Sequence, residues 1–231
     1  MKLLRFPVRR QPARLLAFFC SILAGCTTFE SAALAEQPAT ISADQAISRL
    51  LDGNRRFAAG KSTVNDRGVQ RRLELTKSQS PFAVIVSCSD SRVGPEVVFD
   101  QGLGDIFVIR TAGEVLDAPG LGSIEYAVEH LGSPVIVVLG HQSCGAVSAA
   151  VAAGRAPGHV DALVKAIRPA ALETKGMPGN HVDNAVRANV RRVVRQLKRS
   201  HPIISEYVRK GKVRVVGAYY DLNSGTVTLL E

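Results

Sequence analysis

The chain has 231 residues, with 29 basic and 20 acidic side chains and a formal charge of +9. Five of the basic residues precede Cys26, so a chain starting there keeps 24 basic against 20 acidic residues, a net +4. That balance describes a mildly basic domain and argues against nucleic-acid binding, and the roughly 190 remaining residues suffice for one domain with a sizeable core.

Residues 1–35 read as a leader. Lys2, Arg5, Arg9, Arg10 and Arg14 form a basic start, followed by the apolar run Leu15–Gly25. That run has the length of a signal core and is too short to span a bilayer. Leu23-Ala-Gly-Cys26 matches a bacterial lipobox, which would place lipid on Cys26. Ala33-Leu-Ala35 offers an ordinary cleavage site instead. Either route exports the chain to the periplasm, lipid-anchored or soluble, and residues 36–231 form a single domain.

The domain opens with a linker to residue 41. Ser42-Ala-Asp-Gln45 is a capping box and starts a helix carrying Ile47, Leu50, Leu51 and Phe57. A polar stretch with a short helix near 69–75 leads to Pro81. This helical arm has too little apolar surface for its own core, so it packs on the rest of the domain or on a second subunit. Strands then alternate with helices. Strands are expected at 82–87, 105–110 and 134–139, and helices near 94–99, 121–131, 144–153 and 181–199. Strands at 213–219 and 226–230 flank the hairpin turn Asp221-Leu-Asn-Ser-Gly225. This order predicts an α/β fold with a mostly parallel central sheet covered by helices. The helix over 181–199 carries one apolar stripe. Arg187, Arg191, Arg192, Arg195, Lys198 and Arg199 take up much of the remainder, which reads as a solvated face or a surface for an anionic partner or membrane.

Two short segments carry the chemistry. Cys88-Ser-Asp-Ser-Arg92 follows the apolar run 82–87, and His141-Gln-Ser-Cys144 follows 135–139. Buried parallel strands deliver such loops to one edge of a sheet. Cys88, His141 and Cys144 are a soft donor set suited to tetrahedral zinc. The alternative is a Cys88–Cys144 disulfide, natural in an exported protein. Asp90 either takes the fourth ligand position and closes the site, or pairs with Arg92 and leaves that position to water.

The Cys-x-Asp-x-Arg and His-x-x-Cys pair, about fifty residues apart, resembles the zinc signature of the β-class carbonic anhydrases, and the likeness runs from about Ala43 to the C-terminus. The resemblance implies one Zn2+ per subunit on Cys88, His141 and Cys144, with Asp90 and Arg92 as the catalytic dyad. It implies reversible hydration of CO2 to bicarbonate by a homodimer or tetramer. Gln79, Phe107 and Tyr126 match substrate-binding positions of the family's plant-like branch, the glutamine often acting across the dimer interface. The same fold also serves hydrolysis of carbonyl sulfide or carbon disulfide, and a non-catalytic zinc-stabilised lipoprotein is a further reading. The chain departs from the family at Ala112 and at Glu114, where asparagine is frequent. It also lacks the tryptophan of the bicarbonate-inhibition site found in the other branch. His130, His159, His181 and His201 are proton-shuttle candidates by residue type alone.

Overall fold

The computed structural model describes residues 41–63, 68–152 and 154–230. The leader, its cleavage sites, Cys26 and the boundary expected at residue 35 lie outside the described residues. Five strands form one sheet in the order β2-β1-β3-β4-β5: β1 (Ala83–Ser87), β2 (Ile106–Arg110), β3 (Val135–His141), β4 (Arg214–Tyr220) and β5 (Val227–Leu230). The first four are parallel, and β5 returns antiparallel to β4 through the turn at Asp221. The Asp221 carboxylate accepts the backbone N–H groups of Asn223 and Ser224 at 3.0 and 2.8 Å, an Asx turn that starts the hairpin.

Strands β1 and β3 are buried along their whole length, which explains their unbroken β-branched sequences. Alternate residues feed two cores. Ala83, Ile85, Val135, Val137 and Leu139 meet the helices α1 (Ala43–Ala58) and α3 (Pro95–Val98). Val84, Val86, Ile136 and Val138 meet α4 (Ala118–Glu129), α7 (His181–Lys198) and α8 (Ile203–Arg209) on the other face. Each fully buried Val or Ile contributes roughly 1.5–3 kcal/mol relative to exposure. Among the described residues no helix is long and apolar enough to cross a membrane.

The N-terminal arm finds its core within its own chain. The Ser42 hydroxyl accepts the Gln45 N–H and the Gln45 amide oxygen accepts the Ser42 N–H, completing the capping box. Ala46, Ile47 and Leu50 then pack on Phe82, Val93, Val98 and Phe99. Buried Asn54 fastens the arm further. Its amide donates to the carbonyls of Val98 and Gly225 and accepts the Val227 N–H at 2.7 Å. The short helix α2 (Val69–Glu74) has no buried residue.

Three elements were not anticipated: α6 (Val160–Glu173), α8 and a 3-10 turn at Ala112–Glu114. Pro169 lies inside α6 and lacks the N–H that an interior helical position uses, which masks the helix in the sequence. α8 spans only seven residues, too few to display a period. Together α5 (Gly145–Val151), α6 and α7 cap the carboxyl edge of β1 and β3.

Candidate metal centre

Cys88 is the first residue after β1, His141 the last of β3, and Cys144 the N-cap of α5. All three are buried, and their ligand atoms lie within 4.8 Å of one another. The two Sγ atoms are 3.9 Å apart and both thiols are free. A disulfide needs about 2.05 Å, whereas two sulfurs at 2.3 Å on a tetrahedral ion stand about 3.8 Å apart.

The imidazole is set for ligation. Nδ1 of His141 donates to the Gln142 carbonyl at 2.9 Å, which leaves the Nε2 lone pair free. Nε2 is buried and has no hydrogen-bond partner. A buried nitrogen with no hydrogen-bond partner beside two sulfurs is a donor set that a cation would satisfy. The residues therefore fit zinc. Gln142 is itself anchored: its N–H donates to the Tyr220 carbonyl, and its side-chain oxygen accepts the Leu222 N–H.

The two sulfurs lie within hydrogen-bonding reach of one another. Cys88 is lowered to about 4, first by the hydrogen bond from Cys144, then by His141 and the N–H groups of Gly113 and Asp90, against burial. The Gly113 N–H lies 3.3 Å from Cys88 Sγ. Cys144 moves strongly upward because its proton is held by Cys88 and because it is buried. The surroundings thus favour the charge on Cys88 and oppose it on Cys144. Loading zinc below neutral pH, where a metal-bound water keeps its proton, then releases about one proton per chain rather than two. Calorimetry in buffers of different ionisation enthalpy counts the protons, and a value near two would overturn this charge assignment.

Asp90 and Arg92 form a three-point contact. The Arg92 backbone N–H and Nε donate to Asp90 Oδ1 at 3.0 and 2.9 Å, and Nη2 donates to Oδ2 at 2.7 Å. These bonds hold the Asp90 carboxyl well below the usual carboxylate range. Oδ2 still lies 3.9 Å from His141 Nε2, so the carboxylate borders the ligand cluster while held by the arginine.

Two supports went unnoticed in the sequence. Arg110, at the end of β2, donates from Nε to the Cys88 carbonyl at 2.9 Å and from Nη2 to the Asp90 carbonyl at 2.7 Å. Its place at the carboxyl end of a strand neighbouring β1 was the available signal. Gly113 has φ +69°, and a Cβ there would lie 2.4 Å from Ile167 Cδ1, so glycine alone lets its N–H approach Cys88. Next to it, Glu114 is buried at φ +53°, with its carboxyl pushed well upward by burial and by the charge of Cys88. Asn189 spans the pair, donating to the Gly113 carbonyl at 2.8 Å and more weakly to Glu114 at 3.4 Å.

Gln79, Phe107 and Tyr126 are at the other end of the sheet. The Phe107 and Tyr126 rings are 6.4 Å apart, and Gln79 and Tyr126 line one cleft of about 710 Å3. Phe107 pairs with Val84, four residues before Cys88, which at 3.3 Å per residue is about 13 Å along the strand. One chain does not bring these three side chains to its own metal ligands.

A mostly parallel α/β sheet with two cysteine sulfurs and an imidazole at its carboxyl edge, bordered by a paired carboxylate, defines a zinc enzyme. Comparison with known proteins narrows this class. A family profile described as "Carbonic anhydrase" matches residues 83–227. A carbonic anhydrase of Mycolicibacterium smegmatis is 45% identical over 184 residues, covering 78% of this chain and 89% of the relative. Carbonic anhydrase 2 of Mycobacterium tuberculosis is 45% identical over 186 residues, covering 79% and 90%. Among solved structures, a tetrameric β-carbonic anhydrase of Sordaria macrospora superposes with a TM-score of 0.66 at 26% identity, covering 80% of this chain and 97% of that one. The chain belongs to the β-carbonic anhydrases, zinc lyases that interconvert CO2 and bicarbonate.

Proposed function

We propose that this chain is an exported β-carbonic anhydrase whose metal is held by Cys88, His141 and Cys144 and gated by Asp90 and Arg92. The observation that carries this reading is the bidentate Arg92–Asp90 contact, which holds the carboxylate beside the ligand cluster; Asp90 so held would leave a fourth position on a bound metal to water. When bound, zinc lowers the pKa of a water from 15.7 to about 7, making hydroxide available at neutral pH. Arg92 restrains Asp90, and Asp90 accepts a hydrogen bond from the attacking oxygen and aims its lone pair. Gln142 holds the His141 ring, and Arg110 holds the loop that carries Cys88 and Asp90.

Substrate enters through a second copy of the chain. The metal edge and the Gln79–Phe107–Tyr126 cleft are too far apart within one chain, so the cleft serves the metal of a partner subunit. The Gln79 amide orients CO2 and the two rings line its pocket. The tetrameric relative supports self-association. Sedimentation run alongside stopped-flow hydration tests the composite site, and a fully active monomer would refute it.

Export rests on the leader. The lipobox ending at Cys26 supports a lipid-anchored periplasmic enzyme, and Ala33-Leu-Ala35 supports a soluble one. Mass spectrometry of the mature N-terminus separates the two. A chain still beginning at Met1 in the cytoplasm would overturn export.

A further inference from the structure

Helix α7 runs against the direction of the parallel strands. Near its start, Asp183 accepts a hydrogen bond from Tyr219 at the carboxyl end of β4, and near its end Leu197 packs with Val213 and Val215 at that strand's beginning. The last turns of α7 therefore lie at the sheet edge remote from the metal ligands. They carry Arg191, Arg192, Arg195, Lys198 and Arg199 and no acidic residue.

Arg191, Arg195 and Lys198 line a groove of about 810 Å3 together with Arg214. Carboxylates offset two of these four charges. Asp44 binds Arg214, and Glu173 stands 4.0 Å from Arg195. Arg191 and Lys198 have no carboxylate partner among the described residues. The same groove is bordered by Ser42, Ala43 and Asp44, where the first helix starts. The forty residues that precede the described chain thus join it at this face. Cys26 is sixteen residues upstream of Ser42, a reach of at most about 55 Å.

We propose that the basic face of Arg191, Arg195, Lys198 and Arg214 docks on an anionic phospholipid surface. Two independent observations support this occupant: the unbalanced positive charge and the entry of the exported chain's N-terminal segment at the same place. One lipid anchor together with a basic patch is a stronger attachment than either alone. The proposal takes its setting from the export reading, but the charge of the face does not depend on lipid at Cys26.

The test uses the full chain with Cys26→Ser, so that no lipid contributes. Its partition onto phosphatidylglycerol-containing vesicles and onto pure phosphatidylcholine vesicles is compared with that of an added Arg191→Gln/Arg195→Gln/Lys198→Gln triple variant. The leader is common to both proteins and cancels in the comparison. Each basic residue at an anionic surface is worth roughly fivefold, so the triple variant loses about a hundredfold on phosphatidylglycerol. The two proteins partition equally onto phosphatidylcholine, and added salt removes the difference. Zinc content and hydration rate match between them. A single Lys198→Gln variant, expected to lose about fivefold, keeps the test available should the triple variant misfold. Equal partition onto phosphatidylglycerol would overturn the proposal. So would a changed sedimentation state with unchanged partition, which assigns the face to a second copy. A mature N-terminus without lipid would defeat the anchor and leave the vesicle result standing.

Discussion

Arg92→Ala lowers CO2 hydration by about 10- to 100-fold while zinc stays bound, the scale on which residues supporting a metal site act. Arg92 contributes three hydrogen bonds to Asp90, and among the described residues no other group hydrogen-bonds that carboxylate side chain. The held carboxylate already stands 3.9 Å from His141 Nε2, and once freed it would compete with water for a bound metal. The arginine side chain is about half exposed, so the fold loses little. Asp90→Ala brings a comparable loss by another route, since no acceptor then aims the attacking oxygen. Stopped-flow rates measured beside metal content separate these effects from simple loss of zinc. Rates within about twofold of the parent in either variant would remove the pair from the mechanism.

Cys144→Ala has the larger effect. One sulfur and one nitrogen remain, a donor set that does not retain zinc through purification. Without the ion no hydroxide is available at neutral pH, and hydration falls to the buffer background, on the order of 10⁶-fold for an enzyme of ordinary power. Stability falls as well. The cluster of Cys88, Cys144, Val147 and Val164 packs around the ligands, and His141 Nε2 is left buried and unsatisfied. Metal analysis, melting temperature and hydration rate together check this. Near-stoichiometric zinc with a rate above background contradicts the ligand assignment.

The metal cluster was legible because each donor follows a continuous apolar run, and such runs are parallel strands ending at one edge. The 3.9 Å sulfur separation adds a geometry that spacing alone does not supply. The groups that orient the donors were hidden for a physical reason. His141 is aimed by a backbone carbonyl, and Arg110 grips two backbone oxygens, so neither contact requires a recognisable partner residue. Asn189 reaches Glu114 across 75 positions of sequence, a juxtaposition made only by the packing of α7 on the sheet. Helix α6 was obscured by Pro169. The separation of Gln79 from the metal, by contrast, was available from strand polarity. A residue before a parallel strand and a residue after it lie at opposite edges of the sheet.

That separation reaches beyond the single molecule. On the composite-site proposal each chain carries a metal half and a pocket half that do not serve one another, and a working centre is a property of a pair. A paired catalyst obeys mass action, and its output per chain declines on dilution below the dissociation constant of the pair. It also tolerates complementary damage. In a mixed dimer, a copy lacking the metal and a copy lacking the pocket still form one whole centre, because the sound half of each faces the sound half of the other.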